Sequence, residues 1–128
     1  MEDKTYIAIG VRTDTGSGVP FESEHVVAIP VGGGGSAVGP IIDTGQYTQL
    51  SVALIATAAA NNGGKVQLQE SVDGINFTDL VATSALTGAG HAIAHSSAFA
   101  KYVRATLEST GGGGDTITGV ALLHLKGA

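Results

Sequence analysis

Apolar and polar residues alternate with a period of two along much of the chain, the pattern of strands with one buried face. The longest clean run is Tyr47–Thr57, where Leu50, Val52, Leu54 and Ala56 alternate with Gln49, Ser51, Ala53 and Ile55. Ile55 interrupts the polar side, as expected of a central strand or one contacted on both faces. In Lys65–Leu80 (KVQLQESVDGINFTDL) two strand-like arms meet at Asp73-Gly74. That dipeptide predicts a tight hairpin turn, because Gly takes φ > 0 freely and Asp tolerates it. The first arm sets Val66, Leu68 and Val72 on one face and Lys65, Gln67 and Gln69 on the other. Glu70 breaks the inner series and is expected near a rim or paired. The second arm sets Ile75 and Phe77 against Asn76 and Thr78. Lys101–Glu108 places Val103, Ala105 and Leu107 inward, with Tyr102, Arg104 and Thr106 outward. Thr116–Lys126 closes the chain with Ile117, Ala121, Leu123 and Leu125 inward.

Residues 1–40 read differently. Thr5–Arg12 predicts a short strand with Ile7, Ile9 and Val11 on one face, and Thr13–Val19 is a loop by its Gly, Ser, Thr and Asp. His25–Val31 is apolar, but Pro30 confines it to an edge. Gly32–Gly35 is a flexible joint. The region either adds strands to the body or forms an arm for a neighbouring subunit, and an extended arm is the expectation. Further on, Ala82–Gly90 is small and polar, His91–His95 (HAIAH) predicts a brief strand, and a turn or two of helix is expected near Ser96–Ala100. Gly111–Gly114 marks a hairpin tip. Short strands, Gly-rich turns and no long amphipathic crossover predict an all-β antiparallel sandwich, jelly-roll-like, over residues 41–128, with an extended Gly-rich N-terminal region over 1–40.

Composition narrows the function. The chain has 128 residues, 43% apolar but only 13% charged, against a usual charged share of ~25%. Such a surface repels other proteins weakly and is easily desolvated, which suits a subunit in an assembly. Six Lys and Arg are scattered and the net charge is −5, so nucleic acid is not an expected partner. There is no cysteine, which removes thiolate chemistry and disulfides. The start MEDKTY is not a signal sequence, and no run approaches the ~20 apolar residues of a membrane helix.

Candidate chemistry is thin. His91 and His95 stand at i, i+4, but glycines precede them and the HExxH glutamate is missing; on a strand they lie ~13 Å apart. Asp73, Asn76 and Asp79 offer oxygen donors to calcium, too few for an EF-hand. Gly63-Gly64-Lys65 lacks the hydroxyl residue and helix of a phosphate loop, and Asn76-Phe77-Thr78 is a formal glycosylation sequon. Gly16-Ser17-Gly18 lacks a nucleophile elbow's setting. With no Trp, three Tyr and three Phe, stacking platforms for sugars are scarce. The expectation is a non-enzymatic protein without cofactor or metal, joining others through apolar and aromatic positions: Ile7, Ile9, Val11, Val27, Ile29, Tyr47, Ile55 and Tyr102.

The order Ser71-Val72-Asp73-Gly74-Ile75-Asn76-Phe77, followed by Ala100-Lys101-Tyr102-Val103-Arg104 and a final apolar strand, resembles small β-sandwich structural proteins of tailed bacteriophages. In those an S-x-DG-x-N-[FW] hairpin precedes an A-[KR]-Y-[VL]-R strand; the likeness spans about residues 45–127. It implies a capsid decoration (cement) subunit, made in the host cytoplasm and placed on the virion's capsid surface. Its implied partners are copies of itself, with a trimer favoured, and the major capsid protein, which it would bridge. The alternatives are a tail or adaptor subunit, or a carbohydrate- or receptor-binding sandwich with Tyr47, Tyr102 and His124 as contacts.

Overall fold

A computed structural model describes residues 4–10, 36–60, 62–109 and 116–127. In chain order the strands among them are β1 (Lys4–Gly10), β2 (Ser36–Val38), β3 (Ile42–Asp43), β4 (Tyr47–Ala60), β5 (Gly64–Ser71), β6 (Thr78–Ala82), β7 (Gly90–Ser97), β8 (Tyr102–Ser109) and β9 (Thr116–Gly127). They form an antiparallel β-sandwich of two sheets. One, sheet A, has the order β1-β9-β4-β7; the other, sheet B, runs β2-β8-β5-β6, with β3 also on β8.

The alternation in the sequence is what the two sheets bury. Leu50, Val52 and Leu54 of β4, with Ile117, Ala121, Leu123 and Leu125 of β9, face Val66 and Leu68 of β5 and Val103, Ala105 and Leu107 of β8. Val52, Leu54, Val66, Leu68 and Leu125 have no exposed surface. Each such side chain contributes roughly 1.5–3 kcal/mol by leaving water. Ile55 occupies the opposite face of β4, which is central in sheet A between β9 and β7. Gly119 sits where β9 crosses close to β4: a Cβ there would lie 2.0 Å from the Ile55 carbonyl oxygen. The ladder slips just beyond, between Ala56 and Ala58.

Two outward polar positions are buried all the same. Gln67 donates from Nε2 to the carbonyls of Leu68 (3.1 Å) and Val81 (2.9 Å). Thr106 donates from Oγ1 to Glu108 Oε1 at 3.2 Å. Beside them Thr83 Oγ1 accepts from the Val66 amide at 3.0 Å, so the β6 side of sheet B is closed by side chains as well as by the ladder.

The structure departs from the sequence expectations at four places. The chain stays out of the ladder from Val72 to Phe77, so Asp73-Gly74 lies inside a longer loop and is not a two-residue turn. Val72 is consequently exposed rather than aligned with Val66 and Leu68. Extended backbone continues to Ser97 and no helix follows over 98–100, because the edge of sheet A still supplies a ladder partner there. Finally, Ile75 and Phe77 lie in that loop rather than on one side of a second strand arm. For residues 1–40, where two readings are open, residues 4–10 pair along β9 and residues 36–38 along β8. The hairpin tip at Gly111–Gly114 and the stretch Thr13–Gly35 lie outside the described residues.

Candidate functional site

The loop between β5 and β6 is organised by one carboxylate. Asp73 Oδ1 accepts from the amides of Ile75 and Asn76, both at 2.8 Å, and from Ser71 Oγ at 2.9 Å; Oδ2 accepts from Asn76 Nδ2 at 2.7 Å. Ser71 Oγ in turn accepts from the Gly74 amide at 2.9 Å. The chain reverses at Gly74 with φ +76°, where it lies against the Tyr102 ring, a conformation that glycine adopts without a Cβ penalty. The Asn76 amide first, then that of Ile75 and the side chains of Asn76 and Ser71, hold the Asp73 carboxyl far below the ordinary carboxylate range. Asp73 is thus ionised and committed to the loop, and its oxygens are not open ligands. Asp79 accepts from Gln69 Nε2 at 2.9 Å. Among the described residues no group of three or more His, Asp or Glu could hold a metal ion.

Beneath the loop, Arg104 lies over the Phe77 ring at 4.0 Å and donates from Nε to Gln69 Oε1 at 2.8 Å. Beside it, the connection from β7 to β8 is held by Thr44. Its amide donates to the Lys101 carbonyl at 2.8 Å, and its Oγ1 to the carbonyls of Ala100 and Lys101, both at 3.0 Å. Between the two braced segments is an open hollow of about 590 Å³, lined by Glu70, Val72, Asp73, Asn76, Thr78 and Ala100. Three large apolar side chains stand out from these segments: Val72 and Ile75 are 80% exposed and Phe99 is 76% exposed. Exposed side chains on a fixed backbone lose little entropy when a partner covers them, so the end of the sandwich is suited to recognition.

The other sequence candidates are dispersed. Tyr102 is half-buried in sheet B against Gly74, with Lys101 Nζ 5.3 Å from its ring centroid. Tyr47 packs partly against the core. His124 lies in sheet A, its Nδ1 hydrogen-bonded to Thr5 Oγ1 at 2.7 Å. Tyr102 and His124 are therefore on different sheets and form no common contact surface. Ile55 is half-buried, registered with Val120 and His91. The backbones of Ile7 and Ile9 pair with Leu122 and Ala121, while Val11, Val27 and Ile29 lie outside the described residues. The exposed set Val72, Ile75 and Phe99 was missed as a site; the available signal was apolar residues flanking Asp73-Gly74 inside what had to be a turn.

No protein-family model matches the chain, and no curated protein matches it. Among solved structures it is similar to Eiger TNF from S. frugiperda, with a TM-score of 0.43 and 13% identity over 64% of this chain. The match spans 60% of that chain, less than two-thirds of its length. Nothing about activity follows from a likeness of this size. The comparison returns a TNF structure where the motif resemblance implied a phage virion protein. The capsid decoration function, the major capsid protein as partner and the location on a virion surface are corrected: the motif resemblance that implied them is matched by no family model and no curated protein. The physical reason is that a DG-centred loop followed by a Lys-Tyr-Val-Arg strand encodes a loop brace and a sheet position, which sandwiches of unrelated function share.

Proposed function

We propose that this chain is a non-enzymatic β-sandwich binding module that meets a protein partner's surface with the end formed by residues 71–77 and 98–101. The observation that supports the reading is the exposure of Val72, Ile75 and Phe99 on two segments otherwise fixed by internal hydrogen bonds. An apolar rim beside a hollow carrying Glu70 and Asn76 matches the arrangement in which a few apolar anchors supply affinity and neighbouring polar groups supply register. Among the described residues Phe99 is the one exposed aromatic ring, which favours a protein surface over a saccharide.

Selection of a randomised peptide display library on the full chain tests this. Selected binders should lose at least about tenfold in affinity for the triple variant Val72→Ser, Ile75→Ser, Phe99→Ser, which alters exposed positions and should leave the melting temperature within a few degrees. Binders that hold the triple variant equally well would overturn the assignment of this end, and saturable binding on a glycan array would overturn the protein partner.

A further inference from the structure

The edges of the two sheets are not equally protected. A free edge strand offers unpaired backbone amides and carbonyls, and proteins blunt such edges by shortening, bulging, proline or charge. β1, one edge of sheet A, slips its register between Ile7 and Ile9. β6, an edge of sheet B, has five residues and slips between Leu68 and Gln69 of its partner; β2, at the other edge, has three residues. β7 has none of these devices. It runs eight residues, GHAIAHSS, without Pro, Lys, Asp or Glu. It pairs with β4 over eight successive positions without a slip, and among the described residues no strand pairs with its far side. At its middle Ile93 is 58% exposed.

The sequence of that edge is a palindrome. His91-Ala92-Ile93-Ala94-His95 reads the same in both directions about Ile93. A two-fold interface requires that if residue i meets residue j, j also meets i. An antiparallel pair of such segments centred on Ile93 satisfies this with like facing like. Ile93 meets its own counterpart, Ala92 meets Ala94, and His91 meets His95.

We infer that β7 is a self-pairing edge through which two copies of this chain join antiparallel about a two-fold axis at Ile93, merging their A sheets into one of eight strands. The register on the outer face extends the argument beyond the edge. Ile93 is paired with Ala53, and Ala53 with Leu122. The row Leu122–Ala53–Ile93 therefore continues through the axis into the same row reversed, giving one apolar stripe across the joined sheet. Small Ala92 and Ala94 line the inner side, so the approach of two backbones meets no bulky side chain. The occupant is a second copy rather than an arbitrary peptide because the palindrome supplies all three pairings at once. This interface lies in sheet A and is separate from the loop end formed by sheet B and the β7–β8 connection.

The pairing carries its own pH dependence. Directly opposed side chains in an antiparallel pair have Cβ atoms about 4.5–5.5 Å apart, so each joined edge sets His91 of one copy against His95 of the other, twice. On β4 the outward neighbours are Gln49, Ser51, Ala53 and Ile55, with Ser51 Oγ 2.8 Å from His95 Nδ1. Farther across the sheet are His124 and Lys126 on β9, and no carboxylate occupies the registered outward positions of β4, β7 or β9. The carboxylate on β6, Asp79, is engaged by Gln69 on sheet B. Neutral rings can share a hydrogen bond, whereas protonated rings repel without a counter-charge. Acidification that protonates these rings therefore weakens the dimer.

Sedimentation of the full chain across a concentration series, at about pH 8 and about pH 5, tests this. Dimers should form at the higher pH, weaken by about tenfold or more in acid, and lose that pH dependence in His91→Gln, His95→Gln. Ile93→Lys places a charge on the axis at an exposed position and should leave a folded monomer. The chain has no cysteine of its own, so Ile93→Cys should give a covalent dimer on oxidation, and Val72→Cys should not. A wild-type chain that stays monomeric at the higher pH, a dimer unaffected by Ile93→Lys, or a dimer equally tight at both pH values would overturn the inference.

Discussion

Asp73 is fully exposed to water and yet has almost no bonding capacity left for anything outside its own loop. Four donors converge on its two oxygens, and the ionised form is what they favour. Because its folded pKa is depressed, its contribution to stability is fully present above the unfolded carboxylate range, near 4, and is lost progressively as pH falls from there through the depressed folded value. Asp73→Ala should speed hydrogen exchange at the Ile75 and Asn76 amides roughly tenfold at neutral pH, while core amides of β4 keep their protection. Asp73→Asn keeps one acceptor oxygen and should fall between. Gly119 is a residue of the opposite kind, required for space alone. With a carbonyl oxygen 2.0 Å from where a Cβ would sit, Gly119→Ala must push β9 from β4 and should cost about 1–3 kcal/mol, read as a drop in the denaturation midpoint.

At the scale of elements, β4 and β9 carry the molecule. They pair along nearly their full lengths, and their inward leucines fill the space between the sheets. Leu54→Ala or Leu123→Ala should each destabilise by about 2–5 kcal/mol in chemical denaturation, since neither site has surface through which the cavity could collapse. Much of this was legible in the sequence. The inward series of β4, β8 and β9 follows from alternation alone, because with a period of two one buried residue fixes the face of all its neighbours. The β5–β6 loop was not legible in the same way. Val72 continues the alternation of Val66 and Leu68 on paper, but the Asp73 brace draws the chain out of the ladder after Ser71, and periodicity has no meaning beyond a ladder's end. The helix expected near Ser96–Ala100 failed for a related reason: those small residues have weak local preference, and the neighbouring strand decided.

At the scale of the whole molecule, connection is long-range. β1 near the start pairs with β9 at the finish, and β5 is flanked by β8 and β6 rather than by its predecessor. Closing such loops precedes the contacts that reward them, so refolding should be single-exponential in the range of about milliseconds to seconds, measured by stopped-flow dilution from denaturant. The same topology sets two surfaces apart. The β5–β6 loop and the β7–β8 connection meet at one end although nearly thirty positions separate Val72 from Phe99 in number, and β7 is left at the rim of sheet A with its palindrome outward.

What the sequence determined by itself was the class of fold and the inward series of β4, β8 and β9, since both depend on local alternation and on the absence of long amphipathic crossovers. It also carried the symmetry of His91–His95, although nothing in those five residues marks their strand as an edge. Tertiary structure alone decided which strand ends a sheet, which loops share a hollow, and that Asp73 is spent on its own backbone. Each of these depends on which distant segments become neighbours, and that is settled by packing free energy summed over the whole chain rather than by any stretch of it.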